Sequence, residues 1–338
     1  MKTPAYCTVR LWDEEVGVLA PTASGVAFEY TPEWLARHPG VSLSPIRLPA
    51  QAGRVFESSD PRSPTWQGLP GVFADCLPDR FGNAVIRQYF ARKGVPDAEL
   101  TALQKLLYIG TRGMGALEFL PPHAVPAPHA EEPLAIARLV EESRRVIAGD
   151  LDVAAAELMR LSASAGGARP KGLIAWNPST NEVRSGLLPA LPEGFERWII
   201  KFDAVEGGNQ PGPFGRLEWA YGRLASAAGL ALPEQRLLEE GGRAHFMVRR
   251  FDRTSADGKR HMVSLCGLLE SDFNVPGSLG YEDWFRAVRA TTRDQRDRDE
   301  AVRRMVFNVM ARNQDDHTKK QAFLMDRDFR WSLAPAYD

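Results

Sequence analysis

The segment Asn313-Gln314-Asp315-Asp316-His317-Thr318-Lys319-Lys320 packs two carboxylates, an imidazole and two ammonium groups into eight consecutive residues. It follows Val302, Met305, Val306, Val309 and Met310, whose i, i+3, i+4, i+7, i+8 spacing predicts a buried amphipathic helix. Acids at the negative end of a helix are locally unfavourable, which points to a role beyond solubility. Asp338 lies one predicted hairpin downstream. Phosphoryl transfer needs one carboxylate near the attacking hydroxyl and another to hold Mg²⁺ on the phosphates. Asp315 and Asp338 stand in that order. His317 fits a packing or supporting role better than that of a catalytic base, and Lys319 is read with it as a supporting residue.

Lys201 sits in Trp198-Ile199-Ile200-Lys201-Phe202-Asp203. Strand alternation turns Trp198, Ile200 and Phe202 to one face and Lys201 to the other. A lysine inside an apolar strand needs an anion or must reach solvent. Glu218, on the edge of the next helix's apolar stripe, can be that anion. A strand lysine paired with a helix glutamate fixes nucleotide phosphates in kinases. The loop Ser162-Ala163-Ser164-Ala165-Gly166-Gly167-Ala168 lies ahead of Lys171 and a strand. Its small residues leave backbone N–H groups open to an anion, with Lys171 as a neutralising charge. A flexible connector is the other reading, because short glycine loops are weak signals.

The elements that must position these groups are a mixed α and β set. Strands are expected at Tyr6–Leu11, Gly17–Ala20 and Gly25–Tyr30, the first two around an Asp13-Glu14-Glu15 turn. Helices are expected to about Lys93 and over Asp97–Tyr108, then a strand near Phe119. Residues 121–133 hold Pro121, Pro122, Pro126, Pro128 and Pro133, which cannot continue a helix or a ladder. This divides the chain into 1–122, a linker with a helix over 123–150, and 151–338. The last part reads as helices at 134–147 and 151–161, then strands at Gly172–Trp176, Glu196–Asp203 and Arg243–Phe251. A helix face is formed by Leu217, Ala220, Tyr221, Leu224 and Ala228. A hairpin joins Gln321–Met325 to Arg330–Leu333. The arginines from Arg286 to Arg304 alternate with acids and read as a solvated helix surface rather than a DNA site.

The chain has 338 residues, enough for about two domains. Its 42 Lys+Arg and 43 Asp+Glu give a formal charge of -1. That balance excludes a broadly basic nucleic-acid surface and an acidic solvating tail. Hydrophobic residues at 44% exclude a disordered or fibrous chain. Cys7, Cys76 and Cys266 are far apart and form no CxxC, which excludes a disulfide framework and a thiolate zinc site. No apolar run approaches the ~18 residues of a membrane helix, and the start lacks an apolar signal core. The expectation is a cytoplasmic protein.

Ser164 to Lys171, Lys201, Glu218, Asn313 to Lys319 and Pro335-Ala336-Tyr337-Asp338 together resemble the HipA family of serine/threonine kinase toxins. Gly71-Val72-Phe73-Ala74-Asp75, Leu77-Pro78-Asp79 and Gly113-Met114-Gly115-Ala116-Leu117 resemble that family's N-terminal subdomain. The resemblance implies an α/β (α+β) protein-kinase-like fold of two lobes, a small one over about 155–250 and a helical one over about 251–338, with the N-terminal β-rich subdomain packed on the small lobe. It implies ATP and Mg²⁺ as cofactors and Asp315 as the catalytic aspartate. Ser164, Ala165, Gly166, Gly167, Ala168, Lys171 and Lys201 would hold the nucleotide, with Glu218 as the supporting ion pair. Asp338 would bind the metal. Ser164 matches the autophosphorylated loop serine, and Ser162 is a second candidate. A phosphoserine carrying about -2 charge could not share the cradle with ATP phosphates. The implied setting is a bacterial toxin–antitoxin module, associated with persistence. Its protein substrates are translation components such as aminoacyl-tRNA synthetases. A HipB-like helix-turn-helix antitoxin neutralises the kinase and carries any DNA contact.

Two departures from the family pattern stand out. Lys320 occupies the position where the family usually has a metal-binding Asn. Beside Mg²⁺, each unit-charge pair at ~4 Å and an effective dielectric near 20 costs about 4 kcal/mol. Gln321, one residue on, offers an amide oxygen instead. Relatives also continue past the aspartate that matches Asp338, which implies a shortened chain or a degenerate kinase. Two alternatives to a protein kinase follow: a catalytically weak pseudokinase serving as an antitoxin-binding co-repressor, and a small-molecule phosphotransferase.

Overall fold

The chain's structure, a computed structural model, describes residues 5–78, 80–123, 132–148, 169–203, 205, 212–254 and 258–338. Strands β1 (Cys7–Leu11) and β2 (Glu14–Pro21) pair antiparallel across Trp12 and Asp13, whose φ angles are 49° and 72°. Two positive φ values make the two-residue hairpin turn whose twist suits paired strands. The turn therefore falls before Glu14 and Glu15, which belong to the strand, and not on them as the charge run suggests. With β3 (Val26–Tyr30), β4 (Val55–Phe56) and β5 (Leu117–Leu120) they form a sheet ordered β4-β3-β2-β1-β5.

The middle sheet is ordered β7-β6-β8-β10-β9, from β6 (Lys171–Trp176), β7 (Val183–Ser185), β8 (Glu196–Lys201), β9 (Gln235–Glu240) and β10 (Arg243–Arg249). A third sheet joins β11 (His261–Ser264), β12 (Ala322–Met325) and β13 (Trp331–Leu333), the last two being the expected hairpin. All these ladders are antiparallel. Among the described residues the helices are α1 (Pro32–Arg37), α2 (Gly71–Ala74), α3 (Arg80–Ala91), α4 (Ala102–Ile109), α5 (Ile136–Ile147), α6 (Phe214–Ala227), α7 (Leu265–Leu269), α8 (Tyr281–Thr291) and α9 (Gln295–Met310). The expected helix over 97–108 is broken. A 3₁₀ turn covers Asp97–Glu99, and a Thr101/Gln104 capping box starts α4 afresh.

Two apolar clusters hold the sheets together. Val9, Phe28 and Phe73 share one with Val263, Trp284 and Phe323, so the first and third sheets have a common core. Phe81, Tyr89 and Leu139 pack with Trp198, Ile200 and Met247, which seats α3 and α5 on the middle sheet. The N-terminal part thus contacts both later sheets and not the small lobe alone. Polar ties reinforce the first junction. Asp75 accepts from the Ser264 N–H and Oγ, each at 2.6 Å. Glu270 accepts from Gly71 N at 2.7 Å and Ser59 N at 3.0 Å. Among the described residues no helix is long and apolar enough to cross a membrane.

Candidate functional site

Alternation along β8 buries Trp198 and Ile200 completely and turns Lys201 toward α6. That helix lies close on the sheet because its contact face is glycine. A Cβ at Gly215 would stand 2.0 Å from the Ala244 carbonyl oxygen, and one at Gly222 would stand 1.7 Å from Gln235 Oε1. The expected packing face, Leu217, Tyr221 and Leu224, is about half exposed instead. Side chains of that size cannot fit where the backbones approach so closely. The rotation brings Glu218 to Lys201, whose Nζ donates to Glu218 Oε1 at 2.5 Å and also to Asp338 Oδ1. Burial works against the Lys201 charge, but Asp338 and Glu218 outweigh it and raise the ammonium above its ordinary value. Lys171 lies directly opposite Lys201 in the β6–β8 register and is itself buried.

The acidic loop is held by a relay of amides and a phenol. Asp315 N–H donates to Asn313 Oδ1 at 3.1 Å, and Asn313 Nδ2 donates to Asn308 Oδ1 at 3.1 Å. Asn308 Nδ2 donates to the Tyr281 hydroxyl at 3.3 Å, which in turn donates to Asp316. Burial, then the Asp316 hydrogen bond, pushes the Tyr281 phenol up to about 12. The Asp315 side chain is 73% exposed, 3.0 Å from Lys320 Nζ and 3.6 Å from His317 Nε2. His317 caps the 3₁₀ turn Thr318–Lys320 through Nδ1, which accepts from Lys319 N at 3.3 Å. Its ring lies 5.2 Å from that of Phe273, and Lys319 Nζ sits over the same ring at 4.9 Å. Burial first and Lys320 second lower the imidazole's pKa. His317 and Lys319 therefore stand behind the acidic loop.

Helix α9 is inverted relative to the sequence pattern. Val309 and Met310 are 68% and 80% exposed, and Val302 and Val306 are also exposed. The inward stripe is polar: Glu300, Arg304 and Asn308, at i, i+4, i+8. Arg304, expected in a solvated run, is buried. It donates to Glu300 Oε1 at 2.9 Å, Gln321 Oε1 at 3.3 Å and the Ala334 carbonyl at 2.7 Å. It ties α9 to the hairpin that leads to Asp338. The Tyr337 hydroxyl adds a 2.8 Å bond to the Lys319 carbonyl. Arg304, Asn308 and Tyr281 went unrecognised in the sequence. The polar i, i+4, i+8 stripe was the signal that could have revealed the first two.

Lys171, Lys201, Glu218, Asp315, Lys320, Gln321 and Asp338 converge on one cleft of about 600 Å³, whose apolar wall includes Leu217, Tyr221, Leu230 and Phe307. Its size and mixed lining suit a nucleotide-sized ligand, and the cations suit phosphates. A divalent metal fits less well. Asp338 Oδ1 is engaged by Lys201 and Oδ2 by Lys320. Both ammoniums overcome burial and hold that carboxyl far below the usual carboxylate range. The amide oxygen of Gln321 is taken by Arg304. Mg²⁺ on a nucleotide takes one or two carboxylates, and here Asp338 is engaged at both oxygens while Asp315 is paired with Lys320. The donor set as arranged does not fit Mg²⁺. Ser162, Ser164, Ala165, Gly166, Gly167 and Ala168 lie outside the described residues.

A family model described as the HipA-like C-terminal domain matches residues 163–338, and one described as the HipA N-terminal domain matches residues 7–120. The chain belongs to the HipA family. The solved HipA of Shewanella oneidensis MR-1, from a toxin–antitoxin complex with HipB and operator DNA, is 19% identical with a TM-score of 0.66. The match covers 98% of this chain and 75% of that one. At that identity it shows the fold, a mixed α/β HipA fold as the sequence implied. The Helicobacter pylori proinflammatory kinase CtkA is 17% identical over 42% of this chain and 50% of that one, with a TM-score of 0.31. No curated protein matches.

Proposed function

We propose that this HipA-family protein is a toxin that transfers the γ-phosphoryl group of ATP to a serine or threonine of a protein. The observation that carries the reading is the cleft in which Lys201 is paired with both Glu218 and Asp338 while Asp315 faces the same space. Lys201 and Lys171 bind phosphate oxygens. Asp315 accepts the proton of the attacking hydroxyl as the new P–O bond forms and the bond to the β-phosphate oxygen breaks. No other described carboxylate on the loop is as free to do so, since Asp316 is tied to Tyr281. Mg²⁺ is the ordinary companion of ATP in such chemistry. Ser164 or Ser162 is the site of self-modification. The substrate is a translation component such as an aminoacyl-tRNA synthetase. A helix-turn-helix antitoxin neutralises the kinase and brings it to DNA; the Shewanella complex with HipB and operator DNA supports this reading. The buried, unpaired Cys7, Cys76 and Cys266 agree with action in a reducing cytoplasm.

The test is incorporation of label from γ-labelled ATP into the protein itself and into candidate synthetases. Asp315→Ala should abolish labelling and toxicity while shifting stability by less than about 0.5 kcal/mol, as for an exposed polar group. Equal labelling by the variant would refute the assignment. One observation favours a second reading, a nucleotide-binding co-repressor without turnover: the Lys320 ammonium lies between Asp315 and Asp338. Turnover appearing only in Lys320→Asn would decide for it.

A further inference from the structure

The position of Lys320 has a consequence for how the cleft handles phosphate charge. The residue is buried in the 3₁₀ turn Thr318–Lys320, with its N–H donating to the His317 carbonyl at 2.8 Å. Its side chain is only 10% exposed and reaches Asp315 Oδ2 at 3.0 Å and Asp338 Oδ2. Asp338, the acid expected to hold the metal, and Asp315, the acid expected to meet the substrate hydroxyl, thus bracket an ammonium. Asp338 is left without an oxygen outside an ion pair, since Lys201 holds the other. An ammonium has three N–H donors. Two are engaged by Asp315 and Asp338, which leaves one for a phosphate oxygen.

We infer that Lys320 is a built-in counterion standing in the metal's place between Asp315 and Asp338, so that this chain binds the phosphates of a nucleoside triphosphate without a divalent cation. The inference rests on the nucleotide reading above and adds how the negative charge is met. Lys171 and Lys201 face one another across β6 and β8 on one side of the cleft, and Lys320 adds a third ammonium from the other side. A divalent ion entering between Asp315 and Asp338 would have to displace Lys320 and would meet its repulsion. Removing the ammonium frees one oxygen of Asp338 and opens the position to a metal.

The test is calorimetric titration of the full chain with ATP, once in excess EDTA and once in excess Mg²⁺. For the wild type the dissociation constant should change by less than about threefold between the two conditions. Lys320→Asn should lose about tenfold or more in EDTA and recover with Mg²⁺, while Lys320→Arg, which keeps the cation, should bind in EDTA as the parent does. Wild-type binding that requires Mg²⁺ overturns the inference and leaves the nucleotide reading standing. Metal-independent binding retained in Lys320→Asn overturns the assignment to Lys320. Absence of binding in both conditions overturns the inference and the nucleotide reading together.

Discussion

Asp252 and Asp338 are each gripped by two cations, and they differ in nearly everything else. Asp252 is fully buried. It accepts from Arg250 Nε at 2.9 Å and Nη2 at 2.7 Å, from Arg253 Nη1 at 2.6 Å and from Gly115 N at 2.8 Å. The same guanidiniums donate onward to the carbonyls of Gly113 and Gly115. Burial opposes the Asp252 charge, but Arg250 and Arg253 outweigh it and hold the carboxyl far below its usual range. Asp338 is gripped by lysines, and its side chain is 25% exposed at the cleft. A guanidinium is a rigid fork that shares fixed donors among several acceptors, whereas an ammonium is a rotatable point charge. The arginine pair builds a joint between the Gly113–Gly115 turn and the end of β10. The lysine pair makes a grip whose charges can be handed to a ligand.

That contrast is open to attack. The largest effect should come from Asp252→Ala, which strands two buried guanidiniums and should cost about 3–5 kcal/mol in urea unfolding. A loss below that of an ordinary surface substitution would show that the joint is not structural. Acid should act next. Burial pushes His245 and His261 down to about 4 in the folded chain. Their stability contribution is full above the unfolded value near 6.5 and falls as pH drops toward 4, by on the order of 2 kcal/mol per histidine at pH 5. Both gripped carboxylates have depressed values, so their contributions are lost only below the unfolded range near 4. Unfolding midpoints at pH 7.5 and pH 5, compared for the parent and His261→Gln, separate these sources, and an unchanged slope in the variant would remove His261 from the account. Gly215→Ala should push α6 off the sheet, costing about 1–3 kcal/mol as overpacking does. It should weaken ATP binding by carrying Glu218 away from Lys201. Asp338→Ala should cost less than Asp252→Ala, because the Asp338 side chain reaches solvent and Lys201 keeps Glu218 while Lys320 keeps Asp315. A loss as large as that of Asp252→Ala would erase the distinction between joint and grip.

The strand pattern was legible where one face is buried and the other polar, as in β1 and β8, whereas β12 reads as a short run buried throughout. Lys201 with Glu218 was legible because a lysine inside an apolar strand needs a partner, and Asp315 because acids at the negative end of a helix are locally unfavourable; Asp338 stood out by its order after the hairpin and by the family resemblance. What failed was direction. The apolar stripes of α6 and α9 satisfy helical periodicity, yet both helices turn their other side inward. In α6 the reason is backbone proximity at Gly215 and Gly222. In α9 it is the polar stripe Glu300, Arg304 and Asn308, which anchors the acidic loop and the hairpin. Periodicity fixes which residues share a face, not which face meets the protein. The short strands β4, β7 and β11 carry too few residues for alternation to register.

The core shared by the first and third sheets bears on how such a chain can be inherited. Phe28 and Phe73 are sealed by residues some two hundred positions later, Val263, Trp284 and Phe323. Recombination that delivered either matched stretch without the other would leave a raw apolar flank on each product. A change of side-chain volume on one side of that seam therefore meets its packing partners on the other.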